Sequence, residues 1–220
     1  MIAGLFSGGK DSTLALHIAA EHGTKPELLI TMRSANSDSF MFHKPNIEFC
    51  PMQAEAMGIM HLFVDTDGVK EEELIDLEEG LRQNRVSVLI TGAIASTYQK
   101  DRVEKICKKL GIRHIAPLWG INPLRELETL SKSYEAIITK VAAEGMDISY
   151  LGKRIDAPMI ERLRALNEKY GINMCFEGGE AESFVLNAPL FSKRIFIEKH
   201  RIEREGDFGT FIIESAKLVD

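Results

Sequence analysis

Leu5-Phe6-Ser7-Gly8-Gly9-Lys10-Asp11-Ser12 stands between an apolar segment, residues 2–6, and a segment of helical spacing, residues 11–21. Two adjacent glycines let the backbone bend where a side chain would clash. Such a bend turns several N–H groups toward one point, and the positive end of the following helix adds to their pull on an anion. Ser7 and Ser12 supply hydroxyls, Lys10 a fixed positive charge, and Asp11 a carboxylate able to hold a magnesium ion. The strand, loop and helix together are built to grip a polyphosphate. The spacing excludes the commonest nucleotide loop, which places four residues between a glycine and Gly-Lys-Ser/Thr. It also excludes the dinucleotide fingerprint with its three spaced glycines.

Outward from this loop, apolar strands alternate with amphipathic helices. Strands are predicted over 27–32, 59–64, 86–91 and 112–116. Between them lie a polar loop over 33–46, a helix begun by Pro51, and a helix carrying Leu74, Leu77 and Leu81 on one face. Ser96 and Gln99 form a capping-box pattern before Val103, Ile106, Cys107 and Leu110. This alternation predicts a parallel sheet covered on both faces, with ligands beyond the carboxyl ends of the strands. The rhythm changes near Pro123. A helix over 124–132, a strand over 134–141, a helix begun by Asp156 and a hairpin of 193–203 with 208–217 follow. The expected division is a nucleotide-binding unit over 1–130 and a smaller C-terminal α/β unit over 131–220, with the site in the cleft between them. Trp119 is expected to pack at their junction.

Composition sets outer bounds. Of 220 residues, 45% are hydrophobic and 27% charged, which suits a core with an ordinary polar surface. The start of the chain shows no basic segment with a cleavage site, and no apolar run is long enough to span a bilayer, so a cytoplasmic location and no membrane partner are expected. Cys50, Cys107 and Cys175 form no Cys-x-x-Cys pair, which indicates neither zinc nor a disulfide framework. The net charge of −6 argues against a nucleic-acid partner. The oligomeric state is left open, a homodimer included.

A second constellation lies in the C-terminal part: Glu177-Gly178-Gly179-Glu180-Ala181-Glu182-Ser183. A glycine turn between carboxylates can gather them around one cation, or raise the pKa of one so that it accepts a proton. A solvated acidic turn before a strand is the plain alternative.

These motifs together carry a resemblance. Ser7-Gly8-Gly9-Lys10-Asp11-Ser12 resembles the pyrophosphate loop of the ATP pyrophosphatase superfamily, whose members split ATP between its α and β phosphates. With Met41-Phe42-His43 and Asn46, Gln53-Ala54-Glu55-Ala56, Gly92-Ala93-Ile94, Tyr98-Gln99, Arg102-Val103-Glu104 and the Glu177–Phe191 stretch, the whole chain resembles the single-chain archaeal type of the diphthine–ammonia ligase family. It departs from the pattern at Ala181, a position often aromatic, and at Asn187, where aspartate is usual. Both departures put substrate contacts in question more than ATP chemistry.

The resemblance implies a Rossmann-like ATP pyrophosphatase fold and ATP with Mg2+ as cofactors. It also implies an activity, the amidation of diphthine on elongation factor 2: the carboxylate is adenylated, diphosphate leaves, and ammonia displaces AMP. Ser7, Gly8, Gly9, Lys10, Asp11, Ser12, Gly92 and Tyr98 would then bind the nucleotide, Lys10 and Asp11 taking part in catalysis and Asp11 holding the metal. Glu177, Glu180 and Glu182 are catalytic candidates that could attract the trimethylammonium group, bind ammonium or take its proton. His43, Asn46, Gln99, Arg102, Glu104, Gly178, Gly179 and Asn187 are the candidate substrate contacts. For His43 a plain surface position is the alternative, for Arg102 a solvated ion pair, and for Gln99 simple capping. The rival functions are a tRNA-modifying ligase or thiolase of the same superfamily, and a non-catalytic module that binds ATP or AMP.

Overall fold

Burial within the sheet explains why its central strands are apolar. In the computed structural model, which describes residues 1–35, 45–69 and 71–220 (for Gln99 the backbone alone), the first strands form a five-stranded parallel sheet. Its strands are β1 (Ile2–Leu5), β2 (Leu28–Ser34), β3 (Met60–Thr66), β4 (Val88–Ile90) and β5 (Arg113–Ile115), in the order β3-β2-β1-β4-β5. Helices α1 (Lys10–Glu21), α2 (Cys50–Met57), α3 (Glu72–Gln83) and α4 (Thr97–Leu110) make the crossovers. Leu77 and Leu81 of α3 join Val103, Ile106 and Cys107 of α4 in the core on one face. Leu14, Leu16, Ala54 and Met57 of α1 and α2 lie in the core on the other.

That second core continues without a break into the C-terminal part, through Ile137, Phe184 and Ile195. There β6 (Glu135–Val141), β7 (Ala181–Asn187), β8 (Arg194–Glu205) and β9 (Phe208–Val219) form an antiparallel sheet in the order β7-β6-β9-β8. Helices α5 (Pro123–Ser133) and α6 (Ala157–Tyr170) accompany it. The predicted hairpin is present, with Glu205 paired to Phe208 across Gly206-Asp207. Trp119 differs from its expectation: it is 37% exposed, under the Lys100 ammonium, and Leu118 is the residue buried in the core.

The strand order places the switch in winding direction between β1 and β4, so the loops that follow these two strands diverge and leave a crevice. The loop after β1 is the glycine-rich one, and the loop after β4 carries Gly92.

The end of β1 is pinned from beneath. The Thr31 hydroxyl donates to the Phe6 carbonyl at 2.8 Å, and the His61 ring lies 2.9 Å away, so His61 Nε2–H donates to Thr31. Burial pushes the His61 pKa down from 6.5 to about 4. A base held below its unfolded pKa takes up protons on unfolding, so its contribution is full above pH 6.5 and is lost as pH falls toward 4. The side chain is only partly buried, and on the order of 1 kcal/mol is expected after allowing for solvent screening. Urea unfolding at pH 7 and pH 5 tests this: the pH dependence is expected to shrink in His61→Gln, and an unchanged slope would assign it to other groups.

Candidate active site

At the end of β1 the chain turns through Gly8, at φ +76°, and α1 starts after Gly9. A side chain at Gly8 would bring Cβ within 2.5 Å of Gln53 Oε1. The turn is held from both directions. The Ser7 N–H donates to Ser12 Oγ at 3.3 Å, and the Thr13 hydroxyl donates to the Gly9 carbonyl at 2.9 Å. Gln53 Nε2 donates to the carbonyls of Gly8 and Val185, at 2.9 and 2.8 Å. The Val185 N–H donates to the Gly8 carbonyl at 3.0 Å, and the Lys10 N–H donates to Ser183 Oγ at 3.1 Å. The loop is therefore bonded directly to β7, the strand that follows the acidic turn. Among the described residues, the N–H groups of Gly8 and Gly9 have no protein acceptor, as a phosphate cradle requires.

Gly92 serves this loop by close approach. A Cβ there would lie 2.8 Å from the Asp11 carbonyl carbon and 2.8 Å from the Ser12 nitrogen. Its position lets the β4 loop press against the first turn of α1.

Lys10 points inward. Its side chain is 1% exposed, paired with Asp11 and, at 3.0 Å, with Glu126 Oε1. Burial alone pushes the ammonium pKa down, but Asp11 and Glu126 more than offset this and hold it above its ordinary value. The expectation of a lysine offered openly to phosphate thus meets a buried ammonium between two carboxylates. Asp11, with a side chain 31% exposed, is the more open member. Glu126 was not singled out by the sequence, and Ser183 was quoted only as the end of the acidic stretch, with no role. A glutamate in the first turn of a helix is ordinary dipole complementation, and a strand serine carries no motif.

The acidic turn stands beside Asp11. Glu177 Oε2 accepts the Ala95 N–H at 3.1 Å, and burial followed by the negative charge of Asp11 pushes the Glu177 carboxyl pKa up. Glu180 is engaged differently: Oε1 accepts the Asn173 N–H and Oε2 the Gly178 N–H, both at 2.8 Å. A Cβ at Gly178 would crowd that carboxylate at 2.7 Å, and Gly179 takes φ +83°. Glu182 lies on β7 opposite Lys140. A cleft of about 480 Å³ opens here, lined by Ala95, Ser96, Asn173, Glu177, Gly178 and Glu180.

Glu180→Gln sets an amide nitrogen against one of the two N–H groups, so a loss of about 1–3 kcal/mol in stability is expected. Thermal or urea unfolding measures it. A variant of unchanged stability would return Glu180 to a role in the chemistry alone.

The remaining candidates are spread more widely. Arg102 stacks on Tyr98 at 3.5 Å and pairs with Glu71 at 2.6 Å, while Glu104 faces Lys100 at 3.4 Å and His114 at 3.8 Å. Asn46 ties the chain to β9, donating to the Phe211 carbonyl at 2.9 Å and accepting the Ile213 N–H at 2.8 Å. Asn187 Oδ1 accepts the N–H of Ala188 at 3.0 Å. Met41, Phe42 and His43 lie outside the described residues, as does the side chain of Gln99.

A parallel sheet with a Ser-Gly-Gly-Lys-Asp-Ser loop at its switch point defines a nucleotide-binding α/β protein of the pyrophosphate-loop class. The chain belongs to the diphthamide synthase family. Residues 1–114 match the family's "Diphthamide synthase N-terminal domain" and residues 122–219 its "Diphthamide synthase C-terminal domain". It is 36% identical to the diphthine–ammonia ligase of Bos taurus, over 91% of this chain and 84% of that protein. It is 35% identical to that of Danio rerio, over 90% and 86%. The Schizosaccharomyces pombe protein of the same name is 33% identical over 89% of this chain, which spans 36% of its length.

Proposed function

We propose that the chain is an ATP-dependent amide ligase that converts the diphthine residue of elongation factor 2 into diphthamide, with ammonium as the nitrogen source. The observation that supports this reading most is the direct bonding of the glycine-rich loop to β7 through Gly8, Lys10, Ser183 and Val185. It ties the phosphate-cradle loop to the strand that follows the acidic turn.

In this reading the N–H groups of Gly8 and Gly9 and the hydroxyls of Ser7 and Ser12 hold the phosphates and stabilise the charge that builds on departing diphosphate. A carboxylate oxygen of the substrate attacks the α phosphorus as diphosphate leaves. Ammonia nitrogen then attacks the acyl carbon, and AMP leaves with the electrons of the broken C–O bond. Glu177 is suited to accept the proton that nitrogen gives up, since its raised pKa makes it a stronger base at the cleft wall. Glu180 shapes the turn that presents Glu177, and the acidic surface of the turn suits a trimethylammonium group.

Magnesium fits the donors. Asp11 offers one partly open carboxylate, and among the described residues no group of three or more His, Cys, Asp or Glu gathers to hold a metal unaided. One or two carboxylates completed by substrate phosphates is a common magnesium arrangement. Bound there, the ion would neutralise phosphate charge. Among the described residues no helix is long and apolar enough to cross a membrane. A translation factor as substrate places the reaction in the cytoplasm.

The test combines protein, ATP, magnesium, ammonium and elongation factor 2 bearing diphthine. AMP release with a fall of about one mass unit in the factor is expected, hydroxyl having become amine. AMP release that ignores the factor, or that needs tRNA, would sink the proposal. Nucleotide binding without any AMP would favour a non-catalytic module.

A further inference from the structure

The buried cluster at the head of α1 contains one carboxylate to which the amide-forming steps give no task. Glu126 is wholly buried in the first turn of α5, with Oε1 3.0 Å from Lys10 Nζ. Its other oxygen, Oε2, has no partner among the described residues. Stability is a poor reason to bury such a pair, because an apolar pair of similar volume often serves as well or better. Burial, with the neighbouring Asp11, pushes the Glu126 carboxyl pKa up, while the Lys10 ammonium pulls it back toward the charged form. Asn122 caps α5 by accepting the N–H groups of Leu124 and Arg125, and the positive end of the helix lies beside Glu126. Lys10 Nζ also lies 5.6 Å over the Phe176 ring. Of the three charged groups only Asp11 is partly open, at 31% against 1% for Lys10 and none for Glu126.

We infer that Glu126 is a positioning residue of the nucleotide site: it anchors the Lys10 ammonium from below, and Lys10 in turn fixes the Asp11 carboxylate toward the cleft. Lys10 then works as a strut between the loop and α5, and keeps its hold on Glu126 when phosphate arrives. The inference rests on the reading of the loop as an ATP-activating site. The N–H groups that hold phosphate lie outside the strut, so its loss touches alignment for reaction more than nucleotide binding.

The test is kinetic and spectroscopic. In Glu126→Gln, kcat for AMP release is expected to fall about tenfold or more while KM for ATP stays within about twofold. Combined with Lys10→Met, the Glu126 change should add nothing further, because both act through one strut. A wild-type kcat in Glu126→Gln, or two effects that multiply, would overturn the inference. A second measurement needs no variant at Glu126. In the wild-type chain the Lys10 ammonium should give a slowly exchanging 1H–15N signal, assigned by its absence from Lys10→Arg, that persists when a non-hydrolysable ATP analogue binds. Its loss on binding would show that Lys10 leaves Glu126 for the phosphates, and the strut would be refuted. Wild-type protein that releases no AMP with its factor would count against the functional reading instead, and the ammonium signal would still decide the strut.

Discussion

Lys10→Ala is expected to lose about 3–5 kcal/mol of folding stability, the cost of leaving a buried charge without its partner. It should also lose AMP release by about 100-fold or more, since the alignment of Asp11 goes with it. The two losses have separate origins. Without the ammonium, the wholly buried Glu126 carboxyl keeps only burial and Asp11, both of which push its pKa up. Removing both buried charges together, in Lys10→Met with Glu126→Leu, should restore most of the stability, while AMP release stays as low as in Lys10→Ala. Urea unfolding of the three chains, beside an AMP-release assay, separates the effects. A loss below about 1 kcal/mol in Lys10→Ala would mean that the ammonium does little to offset the burial of Glu126.

Gly92→Ala, which adds a single methyl group, should cut AMP release by about 100-fold, the scale expected when reacting groups shift by about an ångström. The added carbon would sit 2.8 Å from backbone atoms of Asp11 and Ser12. Unlike the tip of a side chain, the first turn of a helix cannot rotate away. Either α1 slides, carrying Asp11 and Ser12 with it, or the β4 loop retreats and takes Ala95, the partner of Glu177, along. Stability should fall by only about 1–3 kcal/mol, as for other overpacked sites. Gly23→Ala is a suitable contrast, because space is open around that glycine and only its φ of +80° resists the change. Wild-type AMP release by Gly92→Ala would show that the two loops need not touch for the reaction.

The architecture was legible because burial writes periodic patterns. Strands covered on both faces must be apolar throughout, and helices over a sheet must carry one apolar stripe, as Leu77 and Leu81 do. The loop was legible for a similar reason: adjacent glycines, hydroxyls and a charge before a helix answer to local geometry. What escaped depends on contacts between distant parts of the chain, which leave no period. Glu126 looks like any acidic residue opening a helix until Lys10 is seen beneath it. Glu180 has the look of a catalytic carboxylate, yet both its oxygens are engaged by backbone N–H groups, those of Asn173 and Gly178. Asn46, expected near substrate, braces β9. Trp119 was expected to pack at the junction of the two parts, but neighbouring Leu118 fills the core and leaves the indole to Lys100.

The bonds from Ser183 and Val185 to the glycine-rich loop bear on how the chain is made. Synthesis delivers the loop first, yet the strand that clamps it emerges much later. An N-terminal nascent fragment can pair its parallel strands, but the loop's contacts to Ser183 and Val185 must wait for that distant strand. The loop therefore gains its full set of bonds only after residues 183 and 185 have been made.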